Sequence, residues 1–267
     1  MKLVEALQLA NGPQQGPRFS AFLACGFTPL HLETAVKAHL RVTLPERTVE
    51  VKTGWYGDVA GTLETITEAD VIMAVIEWAD LDPRLGWRSM GALDKSVIVD
   101  AQARLDRIAA AITSVAKIAP VAVALPGLAL APVFHTPSSE LHAIEAQLRE
   151  MIYRIAESSS AAVLHPDSLP QPRHDLRTEL MNGFPYLFPY TDALAAGLVR
   201  LALPSAPKKG LITDLDETLW AGVLGDDGPE GISWELDQKT QFHALYQQML
   251  NMLGSSGRAD WCRVQER

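Results

Sequence analysis

Cysteine is scarce in this sequence: among 267 residues only Cys25 and Cys262 carry thiols. Two cysteines do not make the disulfide framework of a small secreted domain, so a reduced, cytoplasmic setting is expected. No Cys/His spacing typical of a zinc site occurs. Apolar runs are short, and none approaches the length that spans a bilayer. The opening segment, Met1-Lys2-Leu3-Val4-Glu5-Ala6-Leu7, has an acid where a secretory leader would have its apolar core. Basic residues are outnumbered, 23 Lys and Arg against 32 Asp and Glu, for a net charge of −9. That balance argues against a general nucleic-acid binder and against an anionic membrane surface. A phosphorylated ligand remains compatible with it, because such a ligand needs only local compensation by a cation. Internal repeats and low-complexity tracts are absent.

What is present is an ordinary globular composition, 48% hydrophobic and 21% charged. The length fits one large domain, or one domain and part of another. Leu3, Leu7 and Ala10 share helical spacing, and Gly12-Pro13 then breaks the chain. Phe19 to Cys25 reads as a strand ending in the turn Gly26-Phe27-Thr28-Pro29. A helix over 30–40 follows, with Thr28 as its N-cap and Pro29 in its first turn. Thr48 to Thr53 alternates like a strand and stops at Gly54. Asp58 caps the helix that comes next. Val71 to Ile76 and Ala119 to Leu125 are continuous apolar runs, as expected of parallel strands buried on both faces. Helices are expected over 93–117 and 138–157, then a short strand at 161–164 ending at His165. Residues 168–188, rich in Pro and polar groups, read as a long loop. A helix over 192–203 closes the segment.

Alternating strands and helices predict an α/β fold with a doubly wound parallel sheet. The expected domains are 1–203, a linker over 204–209, and a second segment over 210–267. Strand-end residues are the usual ligand sites of such sheets. Gly26, Thr28, Gly54, Asp80 and His165 are therefore candidates for a binding groove. Each also has a plain structural reading as a turn, cap or loop residue. Cys25, at the end of an apolar strand, reads as buried and inert.

The most informative stretch is Leu211-Ile212-Thr213-Asp214-Leu215-Asp216-Glu217-Thr218-Leu219-Trp220, followed by Ala221-Gly222-Val223-Leu224-Gly225-Asp226-Asp227-Gly228. A strand ending at Asp214 presents that carboxylate at the sheet edge, with Asp216 turning back toward it. Two close carboxylates repel, so a cation or a shared proton is expected. A nucleophilic carboxylate beside a second acid suits covalent phosphoryl transfer with a hard cation such as Mg²⁺.

The Asp-x-Asp-x-Thr pattern resembles motif I of the haloacid dehalogenase (HAD) superfamily. The longer run resembles its subfamily IIIC, the FkbH-like proteins of polyketide biosynthesis, with Glu217 where they usually carry Asn. The resemblance implies Asp214 as nucleophile, Asp216 as general acid and base, Thr218 as a supporting residue, and Mg²⁺ on Asp214 and Asp216. It implies a phosphatase or glyceryl transferase taking a phosphorylated three-carbon substrate and loading an acyl carrier protein through an enzyme cysteine. FkbH-like proteins carry an SGNH-hydrolase-like, flavodoxin-like αβα sandwich ahead of the HAD domain, and the first segment is similar to it. Its nucleophile turn reads Gly26-Phe27-Thr28, without the family's Asp and Ser. Gly54 matches the second position. Glu77-Trp78-Ala79-Asp80 lacks the Asn of the third, and His165, Asp167, His174 and Asp175 do not form Asp-x-x-His.

After a helix marked by Phe242, Leu245, Tyr246, Met249 and Leu253, the tail from Gly254 is polar. No further strand is expected there, and Cys262 is given no acyl-carrying role. The second segment is thus expected to be the first strand and helix of an incomplete HAD-like domain, as from a frame shift or gene fragment, with little or no turnover. The alternatives are a non-catalytic carrier-protein-binding module and an SGNH-type esterase using Thr28.

Overall fold

The computed structural model describes residues 1–88, 93–158, 161–203, 211–235, 240–255 and 262–264. The chain divides into two compact units, Met1–Pro204 and Ser205–Arg267. The expected linker at 204–209 lies outside the described residues.

The first unit is an α/β sandwich. Helix α1 (Leu3–Asn11) precedes β1 (Arg18–Cys25), α2 (Leu30–Thr43), β2 (Thr48–Thr53), α3 (Val59–Glu64) and β3 (Val71–Val75). Then come α4 (Trp78–Leu81), α5 (Ser96–Val115), β4 (Val121–Ala124), α6 (Ser139–Ser158), β5 (Ala162–Leu164), α7 (Leu176–Asn182) and α8 (Phe188–Ala202). The five strands form one parallel sheet in the order β2-β1-β3-β4-β5. Every residue of β3 and β4 is buried, which is why those runs are apolar without alternation. On one face Ile72, Ala74, Val121 and Val123 pack against α3, α5 and α6. On the other, Val71, Met73, Ala122 and Ala124 pack against α2 and α8. The sheet is therefore doubly wound, and its order reverses between β1 and β3. Ligand crevices of open α/β sheets lie outside the carboxyl ends of the strands at that point.

Several local expectations are corrected. Thr28 is not the N-cap of α2: Pro29 occupies that position, with no side-chain cap bond. Leu30 at the helix start has φ 32, a strained value for a side chain with Cβ. Within the expected loop 168–188 lies α7, capped by Asp175, whose side chain accepts from the Thr178 amide, and closed by Gly183 at φ 74. Helix α8 starts at Phe188 rather than 192, with proline in its first turn. Helix α5 starts at Ser96 rather than 93. Asp58 does cap α3, accepting from the Gly61 amide at 2.8 Å.

The second unit pairs β6 (Leu211–Thr213) with β7 (Cys262–Val264) in parallel, Leu211 opposite Cys262. The expectation of no further strand after Gly254 is thereby corrected: Cys262 opens a strand beside the motif strand. Short α9 (Leu224–Asp227) and α10 (Gln241–Ser255) complete the unit. On α10 the buried positions are Ala244 and Leu250, while Phe242, Leu245 and Met249 are exposed. Of the expected stripe only Tyr246 and Leu253 are half-buried, so the packed face is turned away from the rest of it. The inward face is instead anchored by polar bonds, from Tyr246 Oη to Thr213 Oγ1 (3.0 Å) and from Gln247 Nε2 to the Leu219 carbonyl (2.6 Å). Among the described residues no helix is long and apolar enough to cross a membrane.

Candidate functional site

In the second unit, β6 ends at Thr213, and Asp214 follows it as an exposed residue at the carboxyl edge. Its Oδ1 accepts from the Leu215 amide at 2.9 Å. Asp216 is turned back into the loop and is partly buried. Its Oδ1 accepts from Trp220 Nε1 and from the Leu224 amide, both at 3.1 Å. Two neutral donors thus fix the second carboxylate from residues further along the same loop. Thr218 donates its amide to the Leu215 carbonyl, and its own carbonyl meets His243 Nδ1 at 2.9 Å. Glu217 stands at φ 55, the left-handed region. Its carboxylate accepts from the Gly222 amide at 2.9 Å, which closes the loop. A left-handed position favours Gly or Asn over Glu, so the departure from the usual motif residue falls where backbone geometry disfavours it.

The donor set fits a hard cation in type. Both acids offer oxygen, and Mg²⁺ is commonly held by one or two carboxylates with waters and substrate phosphates completing the shell. Among the described residues no group of three or more His, Cys, Asp or Glu could hold a metal. Among the described residues of this unit the basic residue is Arg263, on β7 opposite Ile212, against acids that include Asp214, Asp216, Glu217, Asp226 and Asp227.

In the first unit, the structure brings together two of the five groove candidates. Gly26 leaves β1, and Asp80 lies on α4 just after β3. A Cβ built on Gly26 would stand 1.6 Å from Asp80 Oδ1. Both line a cavity of about 200 Å³ at the switch point, with Phe27, Trp87, Arg88 and Arg104. Thr28 does not itself line the cavity but backs onto it, donating its amide to the carbonyl of the lining residue Gly183 at 3.1 Å. Gly54 is a close-approach residue, since a Cβ there would collide with the Thr62 side chain at 1.9 Å. His165 stacks on Tyr153 at 5.9 Å between ring centroids and does not line the cavity. The five candidates therefore do not form one groove.

Glu77, considered in the sequence only as standing where an Asn is missing, is the most constrained acid of the unit. It accepts from the amides of Gly127 (3.0 Å) and Leu128 (3.2 Å) and from Tyr186 Oη (2.6 Å). Burial pushes its carboxyl up to about 7 against the pull of those donors. Burial likewise pushes Asp80 up to about 7, opposed by the Glu77 amide and by Arg104. The Glu77 amide donates to Asp80 Oδ2 at 2.8 Å, which leaves Oδ1 as the oxygen over Gly26. Cys25 is buried, and burial first, then Asp80, pushes its thiol up to about 12. No sequence signal marked Arg88 or Arg104. Their proximity to the strand ends depends on the packing of α4 and α5.

A doubly wound parallel sandwich with a cleft at its switch point, and a separate small unit carrying an acidic strand-end loop, define the class of fold. No protein-family model matches the chain, and no curated protein matches it. Among solved structures, it resembles the N-terminal part of the protein BF1531 from Bacteroides fragilis, described as containing a phosphatase domain complexed with Mg. The TM-score is 0.73 at 16% identity, covering 100% of this chain and 74% of that chain. At that identity the likeness establishes a shared fold. Two esterases are more distant: Est24, a carbohydrate acetylesterase from Sinorhizobium meliloti, and a mutant of Axe2, a Geobacillus acetyl-xylooligosaccharide esterase. Their TM-scores are 0.41 and 0.42 at 9% and 12% identity, covering 68% and 74% of this chain and 97% and 100% of theirs.

Proposed function

We propose that the second unit carries the nucleophile end of an aspartate-based, Mg²⁺-dependent phosphoryl-transfer site of the FkbH-like kind. The observation that carries this reading is the pairing of an exposed Asp214 at a strand end with an Asp216 fixed by its own loop. The fold shared with a protein described as containing a phosphatase domain supports it. In this reading Asp214 attacks phosphorus, Asp216 handles the proton of the leaving oxygen and then of water, and the Asp214 carboxylate and the Asp216 backbone carbonyl would hold the metal. Mg²⁺ would supply charge neutralisation between the anionic nucleophile and the phosphate. A phosphorylated three-carbon substrate and an acyl carrier protein are the reactant and partner that go with this family reading.

The chain by itself is proposed to turn over slowly or not at all. A phosphate dianion approaching two carboxylates needs fixed cations close by, and the basic residue among the described ones, Arg263, is paired with Ile212 in mid-strand rather than at the strand end beside Asp214. The test is Mg²⁺ titration of the purified chain followed by phosphate release from an aryl phosphate, with Asp214→Asn beside it. Mg²⁺ binding lost in Asp214→Asn, with negligible release, is the expected result. Brisk release abolished by Asp214→Asn would keep the site and overturn the low turnover. Absence of Mg²⁺ binding would overturn the site.

An esterase using Thr28 gains no support, because Thr28 lies outside the cavity lining.

A further inference from the structure

The switch-point cleft of the first unit has features that phosphoryl transfer does not use. Its inner surface holds one free carboxylate oxygen, Asp80 Oδ1, kept accessible because residue 26 has no side chain. Its walls include Phe27, Leu85 and Trp87. Arg88 and Arg104 also line it, and both are exposed. Arg88 donates to Tyr56 Oη at 2.6 Å. Among the described residues neither arginine forms an ion pair, in a chain whose net charge is −9. The lining also holds Glu77, bound by Tyr186 and two amides, Glu179, paired with His174, and Asp80, on which Arg104 acts; the two guanidinium groups still offer hydrogen-bond donors to an anion there.

We propose that this cleft binds a short hydroxylated organic anion, such as a hydroxycarboxylate. Arg88 and Arg104 hold its charged end, its hydrocarbon part lies against Phe27 and Trp87, and its hydroxyl meets Asp80 Oδ1. The volume of about 200 Å³ restricts the ligand to a few heavy atoms. It equals roughly seven waters at their share of the liquid. Burial raises the Asp80 carboxyl into the neutral range, so that it serves a hydroxyl better than an ammonium. The two arginines repel an ammonium as well. The inference uses only residues of the first unit, so it stands or falls apart from the Asp214 site.

Calorimetric titration of the full chain at pH 7 with 3-hydroxybutyrate, butyrate and butylamine tests it. The expected order is 3-hydroxybutyrate first, butyrate second and butylamine undetectable. Arg88→Gln with Arg104→Gln should weaken both anions by at least about tenfold, the loss of charge-assisted hydrogen bonds. Asp80→Ala should erase the preference for the hydroxylated anion, and Asp80→Asn should retain it. A purely structural Asp80, serving only to cap α4, would leave that preference unchanged. Thermal melts report whether each variant folds, and if Asp80→Ala does not, the arginine pair decides the matter. Binding of butylamine equal to the anions, anion binding indifferent to the arginines, or no binding of any probe overturns the proposal.

Discussion

The phenol of Tyr186 donates to Glu77 Oε1 across 2.6 Å, joining residues 109 positions apart in the chain. The same carboxylate holds the amides of Gly127 and Leu128. One acid thus ties the end of β3, the loop after β4 and the segment before α8. Removing it in Glu77→Ala strands three donors. The expected cost is roughly 3 kcal/mol or more, at about 1–3 kcal/mol for each buried unpaired group. Urea unfolding followed by circular dichroism measures it.

Stability should fall as pH rises from about 4 to about 7. Glu77 and Asp80 titrate near 7 in the folded chain, against ordinary values of 4.5 and 3.8. Between those limits the folded state holds more protons than the unfolded one. Their contribution is therefore complete below the unfolded values and lost as pH passes the folded ones. Asp94 and Asp175 are held low, by hydrogen bonds from Ser96 and Thr178 respectively, and so act only at more acid pH. The expected loss between pH 5 and pH 7.5 is on the order of 1–3 kcal/mol. Glu77→Gln should flatten the slope. A urea midpoint that climbs over this range would contradict the assignment.

Gly26→Ala should be severe for so small a change. The new methyl would stand 1.6 Å from Asp80 Oδ1, and Asp80 cannot retreat without giving up the Glu77 amide. Overpacking of this kind costs about 1–3 kcal/mol or more. Thermal denaturation should show the loss, and calorimetry a cleft that no longer binds.

Cys25 should resist thiol reagents in the folded chain. Its thiol is buried and pushed up to about 12, so little thiolate forms at pH 8. In a Cys262→Ser background, reaction with a chromogenic disulfide should be at least about 100-fold slower than in urea. Rapid labelling of the native protein would show that the end of β1 opens readily.

Glu217→Asn should stabilise the acidic loop. Residue 217 sits at φ 55, where a side chain such as Glu costs about 1–2 kcal/mol and Asn costs less. The bond from the Gly222 amide to the Glu217 carboxylate is exposed and offsets little of that. Amide exchange at Gly222 and Leu224 should slow. Faster exchange would mean that the side-chain bond outweighs the strain.

The parallel sheet was legible because β3 and β4 are apolar throughout, a pattern that only burial on both faces requires. Helix α7 was missed although its signals were present: Asp175 at its start and Gly183 at its end bracket Leu176–Asn182. The density of prolines around it outweighed them. Strand β7 could not be read, since three residues in a polar tail carry no periodicity. Gly26 and Asp80 were both readable as strand-end residues, but their contact depends on the sheet order. Glu77 showed its position and not its role, because its three donors lie some 50 and 109 residues further along. The exposed face of α10 misled for a different reason. Apolar side chains mark a buried stripe only where another layer covers it, and Phe242 and Leu245 are exposed.

The triple attachment of Glu77 also constrains how this sequence can drift. A change at position 77 strands two backbone amides that only proline at 127 or 128 could delete, together with a phenol that many substitutions remove. Replacing Tyr186 first would relieve only one of the three. Residues 77 and 186 should therefore vary together across descendants of this chain, whereas Arg88 and Arg104 are free to change one at a time. The rigid floor of the cleft would then outlast any particular ligand held at its mouth.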